Sequence, residues 1–263
     1  MTSIIIDHHV HLGKDCNKTG YSLSKEQLIS DMDYNCIDKS VVFACPNILP
    51  SKENPYRKEN ELILSAAQKN NRLIPFMFIH PFLDKVEYIQ SNQHYFAGFK
   101  IYCSAKEMEY QYQDMPNTEI FRYLNGIDKP LIAHIGMHEG ERAKNIINTI
   151  ELYKGPVIIT HAARFFDQDL KNISILKNVY LDVSPLNVML TNKKYLPNIS
   201  EINSKIADFS EINTLNYLKG LFEERIIWGT DNPWCNFICE DGYSKEVELY
   251  RRLNLEQICH NFF

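Results

Sequence analysis

The chain has 263 residues, of which 44% are hydrophobic and 23% are charged, and its formal net charge is −5. This balance is typical of a globular protein with ample material for a core, and the mild negative charge argues against a nucleic-acid partner. No apolar run approaches the ~20 residues that cross a bilayer, so no membrane partner is expected. Seven irregularly spaced cysteines predict reduced thiols and a cytoplasmic location.

Short apolar segments alternate with amphipathic stretches along the chain. The apolar segments predict eight strands: Ile4–Asp7, Ser40–Ala44, Leu73–Ile79, Ala97–Tyr102, Pro130–His134, Pro156–His161, Val179–Val183 and Ile226–Gly229. The amphipathic stretches predict helices between them: Ser24–Ile37, Arg57–Asn70, Leu83–Ser91, Glu141–Tyr153, Asp169–Lys177 and Ile212–Lys219.

Strands that alternate with helices indicate parallel βα units. Eight units over 263 residues average about 33 residues each (263/8), and a (β/α)8 barrel has typically about 250 residues. An open doubly wound sheet is the competing layout, but the first strand is not followed by a glycine-rich G-x-G-x-x-G turn. The sequence therefore predicts the α/β class and a single (β/α)8 TIM-barrel domain over residues 1–263.

The first predicted strand ends in side chains that bind metals. Asp7, His9 and His11 are two residues apart, so in an extended strand they project to one side. Active sites of such barrels lie at the carboxyl ends of the strands. The spacing therefore predicts that this strand begins a metal site at the mouth of the barrel.

Later predicted strands also end in ionisable residues. "KPLIAHIG" ends its apolar run at His134, "GPVIITHAAR" at His161 and "RIIWGTDNPW" at Asp231, while Lys100 lies near the end of "FAGFKIY". Because the strand ends meet at one face of a barrel, we expect these side chains to converge with those of the first strand.

These residues resemble the amidohydrolase superfamily. Asp7–His11 matches its D-x-H-x-H signature, "IIWGTDNPW" is similar to its eighth strand, and His134 and His161 fall in order between the two. The tail "LNLEQICHNFF" is similar to the closing helix of the branch that includes aminocarboxymuconate-semialdehyde decarboxylase and several lactone hydrolases.

The resemblance implies one divalent ion, zinc by expectation, held by His9, His11, His134 and Asp231. Such an ion lowers the pKa of a bound water to about 7 and polarises a substrate carbonyl. The implied catalytic residues are Asp231, which would accept a proton from the water, and His161, which would transfer a proton or polarise the substrate.

Two cationic residues have open roles. In binuclear relatives such as dihydroorotases a carboxylated lysine bridges two metals, and Lys100 in "GFKIY" resembles that lysine; otherwise Lys100 would touch the substrate or be structural. Arg164 stands where many relatives have a glycine-rich turn. It would grip a substrate carboxylate with its guanidinium, or else pair with Asp167 or Asp169.

The expected function is that of a metal-dependent hydrolase, in which metal-activated water attacks a C–O or C–N bond of a small carboxylated or cyclic substrate. A non-oxidative metal-dependent decarboxylase is the nearest alternative, because the same metal site can stabilise charge during loss of carbon dioxide. A catalytically silent barrel that binds a ligand or a partner protein is the third reading, since a fold alone does not determine function. Barrels of this kind often form dimers, so a homodimer is the oligomeric state to test first.

Overall fold

The computed structural model describes residues 4–14, 22–45, 51–103, 110–192 and 210–255. Within these residues, nine strands form one sheet in the order β2-β1-β3-β4-β5-β6-β7-β8-β9. The strands are β1 (Ile6–Lys14), β2 (Ser22–Leu23), β3 (Lys39–Ala44), β4 (Leu73–Ile79), β5 (Gly98–Ile101), β6 (Leu131–Ala133), β7 (Val157–Ile159), β8 (Val179–Asp182) and β9 (Ile226–Ile227).

Eight of these strands run parallel, and each overlaps one of the eight predicted apolar segments. Barrel strands are buried on both faces, which explains why their sequences are continuous apolar runs rather than alternating ones. The short β2 is the exception, because it pairs antiparallel with the end of β1 through Gly13 and Leu23.

The chain after β9 closes the sheet against β1. Three backbone N–H···O hydrogen bonds of 2.7–3.1 Å make this seam: His8 to Trp228, Asp231 to His9, and His11 to Asn232. Gly229 allows the close approach, because a Cβ atom at that position would lie 2.6 Å from Cβ of His9. The predicted (β/α)8 barrel is therefore confirmed.

The helices of the described residues cover the outside of the barrel. They are α1 (Lys25–Tyr34), α2 (Arg57–Gln68), α3 (Val86–Asn92), α4 (Glu119–Leu124), α5 (Ile147–Leu152), α6 (Asp167–Ser174), α7 (Leu186–Thr191), α8 (Glu211–Phe222), α9 (Trp234–Ile238) and α10 (Gly242–Arg252). Ser24 begins α1 as its predicted cap, since its hydroxyl accepts a hydrogen bond from the Gln27 backbone N–H at 3.1 Å. None of the helices described is long and apolar enough to cross a membrane.

The core has two layers. A large cluster joins the outer faces of the strands to the helices. A smaller cluster of strand residues fills the barrel: Ile6, Val41, Phe43, Phe76, Ile132, Ile158 and Ile227. Above this apolar filling, the strand ends carry the polar side chains of the candidate site.

Candidate metal centre and active site

Three side chains from β1 and the segment after β9 bring their ligand atoms together. Nε2 of His9 lies 3.3 Å from Nε2 of His11 and 3.3 Å from Oδ1 of Asp231. Nε2 of His11 lies 3.4 Å from the same Asp231 oxygen. All three residues are buried, and together they form a group that could hold a metal ion.

The separations within this triangle match the size of a metal coordination shell. Zinc binds imidazole nitrogen and carboxylate oxygen at about 2.0–2.2 Å with tetrahedral geometry, so neighbouring ligand atoms lie about 3.3–3.6 Å apart. The three observed separations of 3.3, 3.3 and 3.4 Å agree with that spacing.

The protonation of the two histidines also suits a cation. Nδ1 of His9 lies 2.5 Å from Oδ2 of Asp182, and Nδ1 of His11 lies 3.0 Å from the carbonyl oxygen of Ala44. Carboxylate and carbonyl oxygens accept hydrogen bonds, so each Nδ1 carries the proton and each Nε2 keeps its lone pair. Burial, helped by the charge of Lys100, holds the pKa of His9 well below its usual range, which keeps the ring neutral.

Asp231 completes the case for a divalent ion. Its Oδ1 is buried and has no hydrogen-bond donor among the residues that the structure describes. Two imidazole lone pairs and a carboxylate oxygen therefore converge without a proton between them. Such an arrangement is costly in a buried site unless a cation occupies its centre, so the residues present fit a metal ion.

His134 and His161 form a second, adjoining pair. Nδ1 of His134 lies 3.1 Å from Nε2 of His161, and Nδ1 of His161 lies 2.8 Å from the carbonyl oxygen of Ser184. The structure thus brings His134 next to His161 rather than into the three-atom group of His9, His11 and Asp231. Burial lowers the pKa of both rings well below the usual range, so both are neutral.

The pair adjoins the candidate metal site. Nδ1 of His161 lies 3.9 Å from Oδ2 of Asp231, the carboxylate oxygen that is outside the triangle. The ring centroids of His161 and His9 are 5.2 Å apart. The four histidines and Asp231 therefore form one continuous cluster of polar side chains.

A left-handed turn follows β7 and carries Arg164. Five successive residues, 161–165, have φ between 47° and 59°, although none is glycine. Left-handed backbone costs an L-residue roughly 1–2 kcal/mol, and such strain is concentrated at functional sites. The turn places Arg164 at the pocket, with its Nε donating to the Ile135 carbonyl oxygen at 3.0 Å. Asp169, one partner considered for Arg164, is instead bound by Arg142 at 3.0 Å.

A cavity of about 230 Å³ opens above these side chains. Its polar surface comes from His11, His134, His161, Arg164 and Asp231. The apolar part of its lining includes Val188, Met189, Trp234, Phe237 and Ile238. Tyr102 also lines the cavity, with its ring centroid 4.2 Å from that of His134. The cavity therefore offers polar groups for a reacting centre and an apolar surface for the body of a small molecule.

Lys100 lies beneath the site and is fully buried. Its Nζ is 4.5 Å from the centroid of the Phe43 ring and has no hydrogen-bond partner in the described part of the chain. Burial lowers the pKa of Lys100 to about 7, against the opposing charges of Asp231 and Asp182.

Asp7 is outside the metal-capable group, although the strand spacing predicts it on the same side as His9 and His11. A register shift between Asp7 and Val10 interrupts the regular alternation of β1. The Asp7 carboxylate accepts hydrogen bonds from the Thr230 N–H at 2.9 Å, the Thr230 hydroxyl at 2.7 Å and the His9 N–H at 3.2 Å. It therefore joins the two chain segments that carry the candidate ligands.

Sequence reasoning missed three residues around the site. Asp182 is the last residue of β8 and Ser184 follows the strand, and both contact Nδ1 of His9, at 2.5 and 2.9 Å. Glu246 on α10 accepts hydrogen bonds from the backbone N–H groups of Asn187 and Val188, both at 3.0 Å, and so fixes the start of α7. Burial raises the pKa of Glu246 to about 8. Asp182 ends an apolar run as Asp231 does, so the rule used for the other strands would have selected it; Glu246 has no comparable signal.

Solved structures of known proteins share this architecture. An amidohydrolase from Burkholderia multivorans with bound zinc has a TM-score of 0.65 and 14% identity, covering 98% of this chain and 93% of that one. A protein from Acinetobacter baumannii assigned as a 2-pyrone-4,6-dicarboxylic acid hydrolase, with citric acid bound, has a TM-score of 0.65 and 14% identity over 97% and 94% of the two chains. An uncharacterized TIM-barrel protein from Bordetella bronchiseptica has a TM-score of 0.66 and 13% identity over 97% and 96%.

No protein-family model matches the sequence, and no curated protein matches it. The tail that suggested a particular branch lies outside the described residues from position 256 onward. At identities of 12–14% the similarity concerns the fold. The resemblance predicted from the sequence is confirmed at that level: the chain has the (β/α)8 barrel fold of the amidohydrolases.

Proposed function

We propose that this protein is a metal-dependent hydrolase of the amidohydrolase superfamily, working as a single domain. Its substrate would be a small carboxylated or cyclic molecule with a C–O or C–N bond to be hydrolysed. The observation that carries the proposal is the triangle of His9, His11 and Asp231, whose three ligand atoms lie 3.3–3.4 Å apart with no proton among them.

The proposed ligands are His9, His11, His134 and Asp231. His134 donates its Nδ1 proton to His161, so its Nε2 is unprotonated and able to bind a metal. One zinc ion is the proposed cofactor, in line with the zinc bound by the Burkholderia amidohydrolase. When bound, such an ion supplies a Lewis acid and lowers the pKa of a coordinated water to about 7.

The protein's own groups would handle the protons. Asp231 offers Oδ2, the oxygen outside the triangle, as the acceptor for a proton from the attacking water. Nδ1 of His161 lies 3.9 Å from that oxygen and carries the proton of a neutral ring, so the proposed role of His161 is to donate a hydrogen bond that polarises the substrate or its leaving group. The apolar wall formed by α7 and α9 would exclude bulk water and strengthen these interactions.

Arg164 is the proposed anchor for a substrate carboxylate. It lines the cavity beside His134 and His161, and its Nε donates to the Ile135 carbonyl oxygen at 3.0 Å. A guanidinium can bind a carboxylate through two N–H groups at once. The Acinetobacter protein of the same fold binds citric acid, a carboxylate, which supports this class of ligand.

Replacing Arg164 with Met should therefore raise KM about 10- to 100-fold with a smaller change in kcat, since hydrogen bonds to charged groups contribute about 1.5–3 kcal/mol. Steady-state kinetics on a carboxylated substrate measures both constants. Arg122→Met is the matched control, because Arg122 is exposed on α4 and does not line the cavity. An unchanged KM in Arg164→Met would remove the anchor from the proposal.

The reaction type is tested by supplying carboxylated lactones and cyclic amides to the zinc-loaded protein in ¹⁸O-labelled water. We expect one solvent oxygen in the product, read by mass spectrometry. Release of carbon dioxide without labelled oxygen would contradict hydrolysis and identify a decarboxylase. Tight binding of the same compounds without turnover would contradict both and leave a ligand-binding barrel.

A further inference from the structure

The segment Asp182–Ser184, which begins at the last residue of β8, contacts two of the site histidines, His9 and His161. We propose that Asp182 and Ser184 are positioning residues that set the tautomers of His9 and His161, and through His161 that of His134. Each ring is thereby held with its proton on Nδ1. The role proposed for His9 in metal binding rests on the proposed function, whereas the tautomers themselves are a property of the metal-free protein.

The side chains of the segment act on His9. Oδ2 of Asp182 lies 2.5 Å from Nδ1 of His9, and the Ser184 hydroxyl oxygen lies 2.9 Å from the same nitrogen. Asp182 is itself held, because Ser184 donates to it from its backbone N–H at 2.8 Å and from its hydroxyl at 2.9 Å. With both donors of Ser184 pointing at Asp182, the oxygens that face His9 can only accept its proton.

The backbone of the segment acts on His161. The Ser184 carbonyl oxygen lies 2.8 Å from Nδ1 of His161, and a carbonyl oxygen can only accept. The neutral His161 ring therefore has a lone pair on Nε2. His134 places its Nδ1 3.1 Å from that lone pair, so it must donate from Nδ1 and keep Nε2 unprotonated.

One short segment thus prepares three imidazoles for the same chemistry. An imidazole binds a metal through its unprotonated nitrogen, and a carboxylate on the other nitrogen fixes the ring's orientation and raises its basicity. His9 receives this carboxylate from Asp182, whereas His11 receives only the Ala44 carbonyl oxygen. We therefore expect Asp182 to determine the metal affinity of the site without touching the metal.

The test uses the metal-free full-length protein labelled with ¹⁵N in its histidines. NMR distinguishes protonated from unprotonated ring nitrogens, and a His9→Gln variant assigns the His9 signals. We expect His9 and His161 to carry their protons on Nδ1 in the wild type. In Asp182→Asn the His9 proton should redistribute toward Nε2, because an amide can donate to Nδ1, while His161 stays unchanged.

Zinc affinity gives a second readout, measured by competition with a chromogenic chelator. Asp182→Asn removes the carboxylate that accepts from Nδ1 of His9, which should weaken zinc binding about 10- to 100-fold. Ser184→Ala should weaken it by a smaller factor. Asp84→Asn is the control, since Asp84 is a half-buried carboxylate that accepts from the His80 N–H at 2.8 Å and makes no contact with His9, His11, His134 or His161 among the hydrogen bonds of the described residues. It should leave both the zinc affinity and the His9 tautomer unchanged.

A wild-type His9 with its proton on Nε2 would overturn the inference, and so would an Asp182→Asn variant with unaltered tautomer and affinity. If Asp182→Asn does not fold, Ser184→Ala and the wild-type spectrum decide. Failure of the wild type to bind zinc would instead contradict the proposed function, and the tautomers in the metal-free protein would still test the positioning role.

Discussion

Replacing Asp231 with Asn should abolish turnover, with kcat/KM falling by about 10²–10⁴-fold or more, the usual contribution of a positioned acid–base group. The change keeps the shape of the side chain but removes its negative charge. It weakens the triangle with His9 and His11, at 3.3 and 3.4 Å, and it removes the proton acceptor at Oδ2. Steady-state kinetics and zinc content of the same preparation measure both losses.

The variant should still fold, because Oδ1 of Asp231 has no hydrogen-bond donor among the described residues and so holds no neighbour in place through a bond. Circular dichroism and an unfolding temperature close to that of the wild type would establish this. Asp84→Asn again serves as a control for exchanging a half-buried carboxylate for an amide. Turnover that survives in Asp231→Asn would exclude this residue from the reacting groups. A wild-type protein that binds ligand but shows no turnover would be a catalytically silent barrel.

The strands of this fold were predictable because they lie in the interior of the protein. A barrel strand is covered on both faces, so its sequence is an unbroken apolar run, and all eight runs became parallel strands. Helix ends were less predictable, since they depend on local contacts. The stretch Glu141–Tyr153 begins with 3-10 turns and becomes α-helical only over Ile147–Leu152. The two-residue strand β2 has too few residues to give any pattern.

The candidate site was predictable in its members but not in its connections. A histidine or aspartate at the end of an apolar run is visible in sequence, and His9, His11 and Asp231 do meet. The register shift that separates Asp7 from them depends on how β1 pairs, which the residue types do not show. Nor does the sequence show that Ala44 and Ser184 accept hydrogen bonds through their backbone carbonyl groups. Every residue has such a carbonyl group whatever its side chain, so the residue type carries no signal.

We expect one metal ion per chain. A second ion would need His134 and His161, but both nitrogens of His161 are already engaged, Nδ1 with Ser184 and Nε2 with His134. Elemental analysis of protein purified without an affinity metal should therefore find about one divalent ion. Lys100→Met should leave this number unchanged, because the proposed ligands of the single ion are His9, His11, His134 and Asp231 and Lys100 is not among them.

Removing the ion should also lower the unfolding temperature. A ligand present at 100 times its dissociation constant stabilises the folded state by about 2.7 kcal/mol, which corresponds to about 5–10 °C for a protein of this size. Scanning calorimetry with and without a chelator, followed by zinc addition, measures the shift and its reversal. Two ions in the wild type and one in Lys100→Met would contradict the single-ion site and indicate a carboxylated lysine bridge, visible by native mass spectrometry as an added carbon dioxide. No ion and no shift after incubation with zinc or manganese would contradict the enzyme itself, because the converging lone pairs of His9, His11 and Asp231 would then serve no cation.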